Sequence, residues 1–298
     1  MGLFLLLGLL WGGSFVAIEI GLIGFPPVLF ASYRFYIAGV AILGYALVTT
    51  DHWCPRRYDE WLVVAIAGVL MIAATHVLLY LGVPYVSGDV AAIIISFSPV
   101  LTAVFASLLL NDRLTPLGLA GFLCGLVGIG LISQPDPSNL LTANMIGTGL
   151  VFGSAVFWAL GTVLTRPLRT EIPVQSLQAW AMLIGAPLLH AAAIARGESL
   201  AGVTWTPMTV GTLAYLGIVA GAVAFLIYFE LLDRLGAAKI NLIGYLEPVA
   251  ATGLSYLILG RVIDLPSVAG FVAIFVGFAL IKRNAIREIV TSPGFANN

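Results

Sequence analysis

Residues 96–132 read SFSPVLTAVFASLLLNDRLTPLGLAGFLCGLVGIGLI, and residues 245–281 read YLEPVAATGLSYLILGRVIDLPSVAGFVAIFVGFALI. The two stretches align without a gap, and eleven of the 37 positions are identical. Leucine and isoleucine coincide by chance in apolar segments, so the weight falls elsewhere. Pro99 matches Pro248, Val100 matches Val249, Ala120-Gly121-Phe122 matches Ala269-Gly270-Phe271, and Gly128 matches Gly277. An internal repeat of this kind decides the architecture before any local reading does. Trp11 and Trp158 match at nearly the same offset, so the repeat reaches back to the first apolar run of each half.

Between and around these stretches the chain is apolar throughout. Of its 298 residues 60 % are hydrophobic and 9 % charged, against about 25 % charged in a soluble domain. Mean hydropathy is +1.07. The 13 basic and 14 acidic residues are too few to cover a water-facing surface. This excludes a water-soluble enzyme and a disordered chain, and a net charge of −1 gives no footprint for nucleic acid. Ten apolar runs reach or approach the ~20 residues that cross a bilayer: 2–22, 27–50, 61–83, 87–110, 115–133, 147–166, 174–195, 209–233, 237–260 and 265–282. Continuous apolar runs predict helices, whereas a transmembrane barrel alternates apolar and polar residues. Residues Asp51–Glu60, Gln134–Ile146 and Arg196–Met208, rich in chain breakers, are expected to be loops. The apolar start at Met1 lacks a basic n-region and reads as the first membrane helix, not a cleaved signal peptide.

With the N-terminus in the cytoplasm, Arg56, Arg57, Arg113, Arg166, Arg169, Arg234, Lys239, Lys282, Arg283 and Arg287 fall inside. Only Arg196 and Arg261 fall outside, while Arg34 lies within a span. The positive-inside rule therefore places both termini in the cytoplasm of a cell or inner membrane. The expected fold is an all-α integral membrane protein of ten transmembrane helices, built as two five-helix repeats, 1–135 and 145–284. An odd number of spans per half inverts the second half. Inverted repeats build many secondary transporters, with the substrate site near the midplane at the repeat interface. Two similar halves of opposite orientation can exchange conformations, which points to a carrier.

Particular motifs carry a family resemblance. The first half contains VPYVSGDVAA from Val83, SPVLTA from Ser98 and LLLNDRLT from Leu108, followed by a Gly-rich closing helix. The second contains YFELLDRLGAAK from Tyr228, YLEPVA from Tyr245, LILGRV from Leu257 and AGF from Ala269. Across nearly the whole chain this resembles the EamA-type domain of the drug/metabolite transporter superfamily. The resemblance implies ten helices, cytoplasmic termini and export of amino acids or related metabolites by alternating access. The family commonly carries an acid followed by Arg after the fourth and ninth helices. Here Asp112-Arg113 keeps it, while Arg261-Val262 lacks the acid, which favours a structural role in helix-end charge pairing.

An ionisable residue inside a span is costly and is first read as functional. Glu247 lies near the middle of the ninth span, followed by Pro248; Ser98-Pro99 is its equivalent in the fourth. Two readings of Glu247 stay open: it binds a cation, a proton or a polar substrate group, or it is a hydrogen-bonded carboxyl locking two helices. Pro99 and Pro248 are expected hinges that bend helices around a central cavity. His76 and Tyr80, one turn apart on one face, can bind substrate or pack by hydrogen bonding. Arg34 can bind an anionic group, snorkel to the outer interface or pair with an acid. Trp11 and Trp158 lie too deep for an interfacial belt and, with Tyr228 and Tyr245, can wall a cavity or pack between helices. The expected substrate-binding set is Trp11, His76, Tyr80, Ser96, Trp158, Tyr228, Tyr245 and Glu247. Glu19, Glu230, Asp233 and Arg234 near helix ends read as solvated or locally paired. Asp89 and Lys239 occupy nearly equivalent helix starts, where an acid suits the dipole.

Small-residue pairs Gly121/Gly125, Gly149/Gly153 and Gly217/Gly221 predict close helix approach, with a dimer face on the fifth helix as the alternative for its glycines. Expected partners are a small-molecule substrate and the lipid bilayer, with the chain a monomer or weak homodimer and no cofactor or metal. Two cysteines, Cys54 and Cys124, supply neither a disulfide framework nor a four-ligand site. No ATP-binding loop, nucleophile elbow or zinc-protease motif is present in the sequence. The rival readings are a passive channel or a non-transporting scaffold and, less favoured, an intramembrane enzyme. The last lacks partners for His76 and His190, the two histidines within spans.

Overall fold

In the computed structural model, helix starts are set by a recurring device. Thr115, Thr142 and Thr206 each accept a hydrogen bond from the backbone N–H three residues on, and Pro116 and Pro207 follow two of them directly. A hydroxyl at the cap and a proline at the first helical position satisfy or remove orphan donors. The structure describes residues 2–113, 115–135, 139, 142–236, 240 and 242–291, with backbone alone from 282 on. Among them are ten helices of membrane character: α1 (Gly2–Gly21), α2 (Pro27–Thr49), α3 (Tyr58–Val86), α4 (Gly88–Leu109), α5 (Pro116–Ser133), α6 (Ala143–Thr165), α7 (Val174–Ala195), α8 (Pro207–Leu235), α9 (Ile243–Leu259) and α10 (Leu265–Thr291). Eight are long and apolar enough to cross a membrane by themselves; α9 and the apolar part of α10, Leu265–Ile281, are shorter. Their outward faces carry exposed large apolar side chains, among them Leu108, Val127 and Leu257, as a lipid-facing surface requires.

Three expected loops are shorter than their composition suggests. The Thr142 and Thr206 caps begin α6 and α8 early, so residues 143–146 and 207–208 are helical. Tyr58–Glu60 belongs to α3, because the Glu60 carboxylate accepts from the backbone N–H of Arg56 (2.6 Å) and Arg57 (3.4 Å) and from His52 Nε2 (3.0 Å). Polar residues here cap helices rather than break them.

Helix packing follows the repeat. The helices α2 and α7 pack on each other, as do α5 and α10, and each is its partner's repeat mate. Other extensive contacts come in pairs: α1 touches α8 and α9, while α6 touches α3 and α4, and α2 touches α8 as α7 touches α3. Adding five to each index, and counting on from one after ten, maps these most extensive contacts onto one another. That is the signature of a pseudo-two-fold axis through the bundle. Local structure repeats as well. Both α3 and α8 contain a π-helical segment, Ala67–Ala74 and Tyr215–Val223. Ser87 (φ 81°, ψ 159°) joins α3 to α4, and Gly236 (φ 77°, ψ 161°) follows α8 at the equivalent point. Gly236 adopts this backbone freely, whereas Ser87 is strained in it.

The α5/α10 crossing is backbone on backbone. A Cβ at Gly128 would lie 2.7 Å from the Gly270 carbonyl oxygen, and one at Gly121 would strike the carbonyl of Gly277. Gly125 sits against the ring of Phe97. Gly121, Gly125 and Gly128 therefore close the molecule on itself, so these glycines are spent inside one chain and not on a dimer face. Gly217 and Gly221 admit Ile37 and Ala38 of α2, and Gly153 meets Leu78, but Gly149 faces open space and does not bring helices together. Lys239 lies outside the described residues.

Candidate functional site

The first cluster lies between α1 and α8. The Trp11 ring sits 5.4 Å from Tyr228 and 5.2 Å from Phe225, and its Nε1–H donates to the Ala220 carbonyl (3.2 Å). That acceptor lies in the π segment, where one extra residue per turn leaves carbonyls available to a side chain. Tyr215, at the start of the same segment, donates from its hydroxyl to the Leu10 carbonyl (2.8 Å). The structure thus brings Trp11 and Tyr228 together.

The second cluster lies between α2 and α3. Tyr80 is fully buried, and its hydroxyl oxygen accepts from Arg34 Nη1 (3.1 Å). The Arg34 guanidinium carbon lies 4.6 Å from the centroid of the Phe35 ring, and that ring meets His76 edge-on at 4.4 Å. His76 Nδ1 donates to the Ile72 carbonyl (2.8 Å), again inside a π segment, which leaves Nε2 as an acceptor in the neutral ring. His76 and Tyr80 are 6.4 Å apart, ring to ring. Arg34 neither snorkels nor pairs with an acid. It is 7 % exposed, and no carboxylate lies within salt-bridge distance among the described residues.

The remaining candidates are dispersed. Ser96 donates to the Ile93 carbonyl (2.6 Å) where α4 breaks, and Phe97 begins its second segment with Pro99 in the first turn. Tyr245 packs its ring on Phe278 (4.2 Å) and Phe275 (5.7 Å) of α10, and its buried hydroxyl has no partner among the described residues. Glu247 is half-buried in α9, where its backbone carbonyl abuts Gly12 of α1. No hydrogen bond or ion pair holds its carboxylate among the described residues. Trp158 is half-buried in α6, with no ring within stacking distance among the described residues. Pro248 lines a small apolar cavity of about 190 Å³ with Ile93, Thr252 and Phe271.

A larger cavity lies elsewhere. A vestibule of about 820 Å³ opens at the end where α1, α3, α5 and α9 finish and α4, α6 and α10 begin. None of the eight candidates lines it. Its charged wall is Glu19, Asp89, Arg261 and Asp264. Arg261 Nη2 is 2.6 Å from Glu19 Oε1, and its Nη1 is 3.8 Å from the buried Asp89. Glu19 also accepts from the Gly88 backbone N–H (2.8 Å), and Asp89 from the Ser87 hydroxyl (2.6 Å). Glu19 and Asp89 are thus tied across the fold rather than solvated. Glu230 pairs locally with Arg234, one turn away. Burial works to raise the Asp264 carboxyl, but hydrogen bonds from Ser267 and Gln134 outweigh it and hold the group below its ordinary 3.8.

At the opposite end Arg166 Nη1 pairs with Asp112 Oδ2 at 2.5 Å. The repeat relates the two ion pairs with their signs exchanged. Arg261 stands where the first half has Asp112, and Arg166 stands where it has Glu19. The acid missing after the ninth helix is therefore a reversal of polarity, and the helix-end pairing survives in both halves. Sequence reading missed this triad because its members lie far apart in the chain; aligning the repeat position by position does expose the exchange. Among the described residues no group of three His, Cys, Asp or Glu side chains could hold a metal ion.

Comparison with known proteins adds a family. A model of the EamA-like transporter family matches residues 1–134 and 145–283. The uncharacterized transporter YvbV of Bacillus subtilis is 26 % identical over 286 residues, which cover 96 % of this chain and 92 % of that one. The uncharacterized inner membrane transporter YedA of Escherichia coli is 28 % identical over 82 % of this chain and 77 % of its own. A probable terminal-alkyne amino-acid exporter of Streptantibioticus cattleyicolor is 27 % identical over 95 % and 94 %. A crystal structure with 21 % identity superposes with a TM-score of 0.66 over 97 % of this chain and 98 % of that one, so the fold is shared.

Proposed function

The chain belongs to the EamA-like transporter family, and from that premise we propose that this multi-pass membrane transporter exports an amino acid or a related small amphipathic solute by alternating access. The observation that carries the reading is the two-fold exchange of helix contacts. A bundle whose halves pack by the same rules in opposite orientation has two states of similar energy, one open to each side. The likeness to a probable amino-acid exporter supports the substrate class. In this reading both termini are cytoplasmic, as the distribution of Lys and Arg favours. The solute passes between the halves, touching Trp11, His76, Tyr80, Ser96, Trp158, Tyr228, Tyr245 and Glu247. The break before Pro99 lets the two parts of α4 tilt independently, with Pro99 and Pro248 as hinges.

Counterflow in proteoliposomes tests this. Vesicles loaded with unlabelled amino acids should accumulate trace labelled amino acid saturably, and the accumulation should collapse as the internal pool runs down. Flux that neither saturates nor shows counterflow would establish a channel instead. Trp11→Ala, Trp158→Ala and Glu247→Gln each should lower the exchange rate; unchanged rates in all three would overturn the site.

A further inference from the structure

Arg34 is a permanently charged side chain placed inside a membrane span with no acid within salt-bridge distance among the described residues. It lies seven residues past the start of α2, about 10 Å from that helix end at 1.5 Å per residue. It is 7 % exposed, so the charge is not delivered to water. Of its five N–H donors, one is given to the neutral Tyr80 hydroxyl, and Nε–H is buried with no acceptor among the described residues. The rest of the enclosure is aromatic: Phe35 under the guanidinium, His76 on the edge of Phe35, and Phe30 against Tyr80 at 5.9 Å. Such surroundings exclude water and strengthen whatever charge pair forms in them. They supply no counter-charge.

The fold does not require this cation. At the offset that joins Trp11 to Trp158 and Pro26 to Pro173, the repeat mate of Arg34 is Ala181, which is buried in α7 without any charge. The asymmetry extends to His76 and Tyr80, whose mates at the offset that joins Ser87 to Gly236 are Phe225 and Phe229. One half of a two-fold scaffold thus carries a cation and an imidazole at positions where the other half has Ala181 and Phe225. A buried, uncompensated charge is costly, and in membrane proteins it is characteristic of a pathway that brings its own counter-ion.

We propose that Arg34 is the anchor for the carboxylate of the transported solute. The inference rests on the transport reading above and narrows its substrate to carboxylate-bearing amphipathic molecules. The planar guanidinium fork matches a carboxylate with two parallel hydrogen bonds, which an ammonium cannot do. The Nε–H that now lacks an acceptor supplies one of them. An apolar substituent on the solute then lies against Phe30 and Phe35.

The test compares acids with their amides, which keep size and side chain and lose the negative charge. Purified full-length protein in detergent is titrated with the twenty standard amino acids and with the corresponding amino-acid amides, and binding is read by equilibrium dialysis. The parent should bind at least one acid about tenfold or more better than its amide. Arg34→Gln should erase that preference, weakening the acid about 30-fold or more, as loss of a charge-assisted pair does, while amide affinity stays within about threefold. Acid and amide weakening in parallel in Arg34→Gln would make Arg34 a structural residue and overturn the proposal. If the Gln variant fails to fold, Arg34→Lys keeps the charge and loses the fork. An undiminished acid-over-amide ratio in that variant also overturns it. A parent that binds no acid in this panel, yet shows saturable counterflow of another solute class, overturns the Arg34 assignment and leaves the carrier standing. A parent without counterflow of any solute removes the carrier reading itself.

Discussion

Substituting Gly128 with alanine is the sharpest probe of the α5/α10 crossing. The new methyl would lie 2.7 Å from the Gly270 carbonyl oxygen, 3.0 Å from Ile274 Cγ1 and 3.2 Å from Ala273 Cβ. Carbon and oxygen approach no closer than about 3.3 Å even in favourable contacts, so the helices must part by about 0.6 Å or bend. The obstacle is backbone, which cannot rotate away. Overpacking of this kind costs about 1–3 kcal/mol, and helix propensity returns at most about 1 kcal/mol for Gly→Ala. Gly130 is the internal control: it lies on the same helix two residues on, and a Cβ there meets nothing within 4 Å. Gly130→Ala therefore keeps the propensity gain without the clash, and the two variants should separate by about 2 kcal/mol. Reversible unfolding in mixed micelles, followed by circular dichroism, measures both. Equal stabilities, or a Gly128→Ala variant more stable than Gly130→Ala, would refute the backbone-on-backbone crossing.

The two ion pairs should differ in worth. Arg261→Gln strands Glu19 and the buried Asp89 and should cost about 2 kcal/mol, between the surface and buried limits. Arg166→Gln removes a half-exposed pair and should cost under about 1 kcal/mol in the same unfolding assay; the opposite ranking would contradict the burial of the triad. For Asp264, the native carboxyl titrates below the ordinary 3.8, so its stabilising contribution is complete above that pH and lost as the pH falls through the lowered native value. Asp264→Asn should flatten the acid limb of a stability–pH curve and leave its slope at neutral pH unchanged.

The spans were legible because about twenty apolar residues have one solution in lipid, and the repeat was legible because Pro99/Pro248 and the Ala-Gly-Phe runs are rare coincidences in such sequence. Helix starts at Tyr58, Ala143 and Pro207 were misjudged because a capping Thr or Glu and a loop Thr or Glu look alike until the backbone donor is in place. The π segments of α3 and α8 carry no hydropathy signal, since one inserted residue leaves an all-apolar run apolar. For the candidate site, helical spacing put His76 and Tyr80 on one face, where their rings lie 6.4 Å apart, but nothing in the sequence joined Trp11 to Tyr228. It could not see that Tyr245 turns toward α10, nor that Arg34 finds Tyr80 in place of an acid. Those outcomes depend on which face each helix presents, and a helix that is apolar all round does not announce its face.

The exchanged polarity of the two terminal ion pairs reaches beyond stability, to which halves can associate at all. Two copies of the first half, placed antiparallel about the same axis, would set Glu19 against Asp112 at both ends. Two copies of the second would set Arg166 against Arg261 twice. Only the mixed assembly joins acid to base at each end, as observed for Glu19–Arg261 and Arg166–Asp112. Like charges facing each other reject a partner as effectively as opposite charges select one. The duplicated halves are thereby no longer interchangeable: each has lost the means to pair with itself, and the single chain that joins them enforces a match that the charges already prefer.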